Sequence, residues 1–266
     1  MPEFDADGNQ LYIQTETGDW ALNYNAANRP TDFSGMDEEG NFHTVKCDYD
    51  SMGRRVFKKV ISGNGTVTSH HPPPQTLSAI ARRACYACLP SQSGNAAEAG
   101  CDLTRTNHPA LWLITWDPTQ AVATRPLAIQ KDGTWFTYGL DLTKNVCEIF
   151  GTSGYIATVY TYTPYGETYA SGSIIQPIQW SCEFNDSELG LYYYSSRYYN
   201  HFSGNWISRD RMSEKHARHL YNYCNSSPIY RNDYLGYYTM LIHGTRMWGE
   251  RIFDLGTSKN SPNGNL

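Results

Sequence analysis

Short runs of strand-forming residues alternate with turn-forming residues over much of this chain. Three of these runs span residues 111–116, 134–138 and 157–163, and all are rich in aromatic and β-branched side chains. Turn residues adjoin them, such as Asp132-Gly133 before the second run and Pro164 after the third. Because aromatic and β-branched residues favour strands, whereas Asp, Gly and Pro favour turns, we predict a mainly β fold of antiparallel hairpins with little helix.

Residues 62–105 interrupt this pattern. A run of prolines at 72–74 and a tract rich in Ser, Gly and Ala at 91–100 are typical of linkers. Between them, apolar residues recur at helical spacing and predict one short amphipathic helix. These residues are Leu77, Ile80, Ala81, Ala84 and Cys88. We therefore predict a low-complexity insertion or linker that contains one helix.

Two segments before this insertion resemble each other. They begin at Tyr24 and Tyr49, 25 residues apart, and read Y-N-A-A-N-R and Y-D-S-M-G-R. Both resemble the YD repeat, Y-D-x-x-G-R, and their spacing is typical of a repeat architecture. The first copy is degenerate, with Asn25 for the Asp and Asn28 for the Gly. Because Asn tolerates a left-handed backbone, we predict the same turn in both copies.

Composition narrows the class of protein. Aromatic residues make up 14% of the chain, 21 of them Tyr, which suits strands with packed rings and solvated hydroxyls. The formal net charge of -5 argues against nucleic acid as an obligate partner. The first residues do not resemble a signal peptide, and no apolar run is long enough to cross a membrane, so the location stays open. The seven cysteines are expected to be free thiols.

The most informative segment begins at Gly190 and ends at Asp210. It reads G-L-Y-Y-Y-S-S-R-Y-Y and, after a short gap, G-N-W-I-S-R-D. This segment resembles the signature of the Rhs-repeat-associated core domain, G-L-Y-Y-x-x-A-R-Y-Y-D-P-x-x-G-R-F-x-S-R-D-P. The resemblance implies a strip of β-hairpins, which in longer relatives spirals into a shell around cargo. It divides the chain into degenerate YD repeats at 1–61, the insertion at 62–105, the core at 106–237 and a tail at 238–266.

The resemblance also implies a catalytic pair of aspartates, because some members of the family are self-cleaving aspartic peptidases. Arg209, Asp210, Asp233 and Gly236 match the motifs R-D-P-x-G and D-P-x-G of those members. The sequence departs from the motifs at Arg211, Ser213 and Tyr234, which replace two prolines and a glycine. Two carboxyl groups about 3 Å apart share one proton, so one acts as base and the other as acid. Arg209 is predicted to stabilise the anionic carboxylate.

The same resemblance places the cut between Tyr237 and Tyr238. Gly236, Tyr237 and Tyr238 are therefore the predicted substrate-binding residues, and the polypeptide substrate is the chain's own C-terminus. Cleavage within one chain is favoured because the substrate is delivered without a bimolecular encounter. Cleavage of other proteins is a further expectation.

A non-catalytic role is the main alternative. The aspartates would then cap turns and pair with arginine in a structural or binding YD-repeat module. Aromatic rings at 192–199, Trp206 and Trp135 could stack on sugars of a glycan or cell surface, unless these rings fill the core.

Two further segments of the sequence carry weaker candidates for a functional site. Cys85, Cys88, Cys101 and His108 are possible zinc ligands, but their spacing matches no common zinc module, so no metal and no cofactor is predicted. The segment F-D-L-G-T-S at 253–258 loosely resembles the active-site loop of pepsin-like peptidases. It lacks a second matching loop, so a turn near the chain end explains it better.

Overall fold

The computed structural model describes residues 3–51, 53–70, 85–87, 112–119, 124–210, 220–234, 236 and 238–241. Regular structure in these residues is almost entirely antiparallel β-strand. The helical elements within the described ranges are two short 3-10 turns, Trp180–Cys182 and Tyr223–Ser226. The prediction of a mainly β fold built from antiparallel hairpins is confirmed.

The first sheet contains six strands in chain order. They are β1 (Tyr12–Thr15), β2 (Gly18–Tyr24), β3 (Pro30–Asp37), β4 (Phe42–Tyr49), β5 (Arg55–Ser62) and β6 (Val67–His70). Buried side chains such as Trp20, Phe33, Val45 and Val60 lie on one face and pack into the core. Strand β6 pairs with β5 and lies within the region predicted as a linker.

The second sheet contains seven strands, which also pair in chain order. They are β7 (Cys85–Ala87), β8 (Trp112–Trp116), β9 (Pro126–Lys131), β10 (Thr134–Leu140), β11 (Val146–Gly151), β12 (Ile156–Tyr162) and β13 (Thr168–Gly172). Strands β8, β10 and β12 coincide with the three runs of strand-forming residues. Ile114, Ile129, Phe136 and Ile149 from this sheet join the same buried cluster as the first sheet.

The predicted helix over Leu77–Cys88 is wrong at its C-terminal end. Cys85–Ala87 form strand β7, whose residues pair with β8 from Cys85 opposite Ile114 to Ala87 opposite Trp112. Pairing with a neighbouring strand overrides the local apolar spacing, since the ladder satisfies backbone groups that a short helix end would leave open. The rest of that prediction lies outside the described residues.

One turn geometry recurs between the strands. The N–H of the first turn residue donates to the carbonyl four residues later, and the N–H three residues later donates back to the first carbonyl. Such turns begin at Asp5, Asn25, Asp37, Asp50, Ser62, Asp141, Gly151 and Thr163. The fourth residue of each turn has a left-handed backbone. Asn28, with φ of 56°, occupies this position in the first YD repeat, as Gly53 does in the second, so the predicted turn is confirmed.

The signature tyrosines lie inside the molecule, in a group of short hairpins at the C-terminal side. These strands are β14 (Phe184–Asp186), β15 (Leu191–Tyr193), β16 (Tyr198–Asn200), β17 (Asn205–Trp206), β18 (Arg231–Tyr234) and β19 (Tyr238–Leu241). Tyr193 and Tyr198 pack with the two large sheets, whereas Tyr194, Tyr199 and Trp206 form a second buried aromatic cluster. Of the rings considered for stacking on sugars, those at 192–199 and Trp206 fill the core, which is the alternative given for them above, and Trp135 is exposed.

A buried ion cluster joins the first sheet to these hairpins. Asp186 accepts hydrogen bonds from the Arg55 guanidinium and from Lys58 Nζ, the latter at 2.8 Å. All three side chains are almost fully buried, and Lys58 also pairs with Glu188 at 2.7 Å. Burial opposes ionisation of Asp186, but the two cations outweigh it and hold its pKa below the usual value. Breaking this cluster would leave buried charge uncompensated.

Candidate active site

The two predicted catalytic aspartates lie on separate segments. Asp210 follows β17 in an extended stretch, and its N–H donates to the carbonyl of Leu220 at 3.1 Å. Asp233 belongs to β18 and is 5% exposed. Their positions are 23 residues apart in the chain, and the fold brings both to one buried arginine.

That arginine is Arg197, whose side chain is 7% exposed. Its Nη2 atom lies 3.2 Å from Oδ2 of Asp210 and 3.5 Å from Oδ2 of Asp233. The two carboxylate oxygens can therefore be no farther apart than the sum of these distances. The guanidinium also lies over the ring of Trp206, 4.0 Å from its centre, which fixes the plane of the cation.

A tight loop between β15 and β16 delivers Arg197 to this position. Tyr194 N–H donates to the carbonyl of Arg197 at 2.9 Å, and Ser195 between them has a left-handed backbone with φ of 62°. Burial disfavours the cation and lowers the pKa of Arg197, while the charges of Asp233 and Asp210 oppose that effect. The arginine and the two carboxylates thus form one electrostatic unit.

The predicted cleavage segment reaches the same arginine. Arg197 Nε donates to the carbonyl oxygen of Gly236 at 2.8 Å. Gly236 lies in the turn between β18 and β19, where Tyr234 pairs with Tyr238 and Asp233 pairs with Thr239. Tyr237 lies outside the described residues, and Tyr238 is the first residue of β19. One guanidinium therefore contacts both aspartates and the turn that holds the predicted scissile bond.

Gly236 has a backbone that other residues rarely adopt. Its φ is +71°, and a Cβ atom there would lie 2.4 Å from Oγ of Ser196. Ser196 directly precedes Arg197, so the absence of a side chain at 236 lets the turn approach the arginine. This close approach gives a structural reason for glycine at the matched motif position.

A third carboxyl group, Glu183, is close enough to Asp233 for the two charges to interact, and the sequence does not mark it. Its side chain is buried, and desolvation raises its pKa well above the usual range; Lys144 opposes this and Asp233 adds to it. Two residues earlier, Ser181 Oγ donates to Asn232 Oδ1 at 2.9 Å, which ties this segment to β18. No motif marks Glu183 in the sequence, because only the fold places it beside Asp233.

Arg209, predicted to hold a carboxylate, lies beside the N-terminal segment. Its Cδ atom is 3.0 Å from the position that a Cβ of Gly8 would take, and its charge lowers the pKa of Tyr221, a smaller effect than the burial that raises it. The arginine that the sequence reasoning missed is Arg197. The signal was present, since Arg197 stands at a fixed place among the buried tyrosines of the signature.

Most of the possible zinc ligands lie outside the residues that the structure describes. Within them, no three His, Cys, Asp or Glu side chains form a group that could hold a metal ion. Of the possible zinc ligands, Cys85 lies in β7, and Cys88, Cys101 and His108 lie outside the described residues. Cys47, Cys147, Cys182 and Cys224 are free thiols, as expected. No helix in the described part of the chain is long and apolar enough to cross a membrane.

Comparisons with known proteins find that the chain is similar to components of Tc toxins. No family model matches the chain. The toxin subunit YenC2 of Yersinia entomophaga is 28% identical over 114 residues, which is 41% of this chain and 12% of that protein. The chain therefore spans a small part of this relative.

Solved structures show the same fold. The TcdB2-TccC3 crystal structure matches 88% of this chain and 11% of its own, with a TM-score of 0.58 and 19% identity. The Tc holotoxin pore of Photorhabdus luminescens matches 92% of this chain and 11% of its own, with a TM-score of 0.65 and 18% identity. Together with the sequence signature, these likenesses support the resemblance to the Rhs/YD-repeat family.

Proposed function

We propose that this chain is a Rhs/YD-repeat protein whose C-terminal core is an aspartic-type self-cleaving peptidase. Asp210 and Asp233 are the catalytic pair, and the cut falls between Tyr237 and Tyr238. One observation carries the proposal: Arg197 contacts both carboxylates and the carbonyl of Gly236. Gly236 directly precedes Tyr237, whose carbonyl group belongs to the predicted scissile bond.

The chemistry is hydrolysis of one peptide bond by a water molecule. With one proton between the two aspartates, the ionised carboxylate takes a proton from the water as its oxygen attacks the carbonyl carbon of Tyr237. The protonated carboxyl group donates its proton to the carbonyl oxygen, which gives a tetrahedral diol. As the C–N bond breaks, the carboxyl group that took the water's proton passes it to the leaving nitrogen of Tyr238, and the other carboxylate takes a proton back from a diol hydroxyl. The products are a new carboxyl group on Tyr237 and a new amino group on Tyr238, and the pair regains its single proton.

Arg197 has two tasks in this scheme. Its charge offsets the repulsion between two carboxylates that approach each other, and its planar donors hold both in fixed orientations. Its bond to Gly236 holds the substrate turn against the pair before reaction, which replaces a bimolecular encounter by a preorganised one. The second task favours the cut within the chain over cleavage of other proteins.

The intact mass of the full chain after incubation at mildly acidic pH tests this function. We expect loss of the peptide from Tyr238 to Leu266 in the parent protein. Asp210→Asn and Asp233→Asn should each abolish the loss, whereas Asp48→Asn, an exposed aspartate of β4, should not. A parent chain that keeps its full mass, or aspartate variants that still lose the peptide, would refute the proposal.

The non-catalytic alternative has one observation in its favour. The ion pairs of Arg197 with Asp210 and Asp233 also tie β18 to the signature hairpin, as a purely structural staple would. In that case, both Asp→Asn variants lower the melting temperature and the parent shows no cleavage. Cleavage of added casein by the parent, lost in both variants, would extend the catalytic proposal to other proteins.

A further inference from the structure

The arginine that ends each YD repeat has a different partner in the two copies. Arg54, in the second repeat, donates from Nε to Asp50 of its own turn at 2.7 Å. In the first repeat, Asn25 replaces that aspartate, so the turn supplies no carboxylate to Arg29. Arg29 Nη1 instead donates to the carbonyl oxygens of Ser195 and Ser196, the former at 2.9 Å.

These two carbonyls belong to the loop that carries Arg197. Ser195 has a left-handed backbone, and Ser196 Oγ is the atom that a side chain at Gly236 would strike. A shift of this loop would therefore move both the guanidinium of Arg197 and its contact with the cleavage turn. Because all donors of Arg29 are arranged in a rigid plane, two carbonyls bound to one nitrogen are held at a fixed separation.

The neighbouring repeat leaves room for this contact. Gly53, the left-handed residue of the second repeat, lies against Arg29: a Cβ there would be 2.8 Å from Nη2 of Arg29. Tyr49 of the same repeat donates to the carbonyl of Pro30 at 2.8 Å and fixes the two turns together. Arg29 is also close enough to Arg197 for its charge to lower the pKa of Arg197, beside the larger effects of burial and the two aspartates.

We propose that Arg29 is a positioning residue for self-cleavage, through which the first YD repeat holds the Ser195–Ser196 loop and thereby Arg197 in register with Asp210, Asp233 and Gly236. This repeat has Asn25 where the consensus has Asp. Arg29 therefore has no carboxylate partner in its own repeat and bonds to the Ser195–Ser196 loop instead. The inference rests on the proposed function, since the site it serves is the aspartate pair.

The test compares Arg29→Met with Arg54→Met, a change of the same residue type at the same position of the other repeat. Self-cleavage of the full chain is followed by intact mass across a pH series, beside its thermal unfolding. We expect Arg29→Met to slow cleavage on the order of 10-fold or more, since small misplacements of catalytic groups have large effects on rate. Arg54→Met should cleave at the parental rate, and Arg29→Lys, which keeps the charge and a donor, should recover most of the loss.

The rate per folded molecule separates positioning from simple support of the fold. Arg29→Met should cleave more slowly than the parent at temperatures where both are fully folded, because Arg197 is no longer held in register with the two carboxylates and the Gly236 carbonyl. Arg29→Met that cleaves like the parent, or that loses rate only in proportion to its unfolded fraction, would overturn this inference alone. A parent that never cleaves would instead refute the proposed function, and this inference with it.

Discussion

Gly236 shows how much one residue decides at this site. Its left-handed backbone and its close approach to Ser196 both favour a position without a side chain, and its carbonyl accepts the hydrogen bond from Arg197. The motif resemblance identified Gly236 as a matched position, but the reason for glycine became visible only with the loop beside it. The loop at Ser196–Arg197 and the turn at Gly236 lie some forty residues apart in the chain, and the sequence pattern does not predict their contact.

Gly236→Ala should therefore stop or strongly slow self-cleavage. The new methyl group would push the turn away from Ser196 and lengthen the bond from Arg197 Nε to the Gly236 carbonyl. Gly40→Ala is the matched control, because Gly40 is also left-handed, with φ of +82°, but has open space around it. Both variants bear the strain of about 1–2 kcal/mol that a left-handed Ala costs. Equal cleavage by the two variants, measured by intact mass, would contradict the role of Gly236.

Glu183 gives the clearest pH dependence of a single residue. Burial raises the pKa of Glu183 well above its usual value of 4.5, so the folded protein binds this proton more tightly than the unfolded chain. The stability that follows is complete below about pH 4.5 and is lost as the pH rises through the folded pKa. Glu183→Gln keeps the side chain neutral at every pH. Its melting temperature should equal that of the parent near pH 4.5 and exceed it increasingly toward about pH 8.

A matched variant distinguishes this effect from a general change of net charge. Glu38→Gln removes an exposed carboxylate from a turn of the first sheet. Its melting temperature should run parallel to that of the parent over the whole pH range. A parallel course for Glu183→Gln as well would show that Glu183 is ionised in the folded protein.

Strands and turns could be predicted from the residues that form them, whereas the pairing between distant segments could not. The turn at Asn25–Arg29 could be predicted because Asn28 tolerates the left-handed backbone that Gly53 adopts in the other repeat. Strands β8, β10 and β12 followed from their aromatic and β-branched residues. The helix expected to end at Cys88 failed because β7 finds a partner in β8, which local periodicity does not reveal. Arg197 was not found from the sequence for the same reason, since its contacts with Asp210 and Asp233 join segments far apart in the chain.

The buried ion cluster that joins β5 to β14 should contribute more to stability than an ion pair nearer the surface. Asp186→Asn would leave Arg55 and Lys58 buried without their shared carboxylate, and we expect a loss of about 3–5 kcal/mol in the free energy of unfolding. Asp50→Asn, which breaks the partly exposed pair with Arg54, should cost about 0–1 kcal/mol. Urea unfolding of the two variants at neutral pH measures both values, and similar losses would contradict the structural role of the buried cluster.

The same cluster sets an acid limit for the cleavage assay. The pKa of Asp186 lies below its usual value of 3.8, so its contribution is present above that value and is lost as the pH falls through the folded pKa. The contribution of Asp186 to the melting temperature of the parent should stay constant above about pH 4 and decrease at lower pH. Incubation at mildly acidic pH therefore keeps this cluster intact while the aspartate pair is tested.

Across the whole molecule, the two sheets and the signature hairpin share one buried cluster, so the site depends on residues far from it in sequence. The N-terminal segment is a case in point. Gln10 N–H donates to the carbonyl of Ile207 at 3.0 Å, and Tyr221 Oη donates to the carbonyl of Gly8 at 2.6 Å. Asn9, fully buried, forms a β-bridge with Ser208. This segment thus lines the stretch that leads from β17 to Asp210.

Removal of residues 1–10 should consequently slow self-cleavage while both large sheets stay folded. Without Gln10 and Gly8, the stretch at 207–208 and Tyr221 lose their partners, and Asp210 is no longer held at a fixed distance from Arg197. We expect a loss on the order of 10-fold in rate, because the aspartate is misplaced and not removed. Tyr221→Phe, which deletes one hydrogen bond and keeps the ring against Phe4, should have a much smaller effect. A truncated protein with parental strand content by circular dichroism and the parental cleavage rate would show that Asp210 is positioned by the C-terminal hairpins alone.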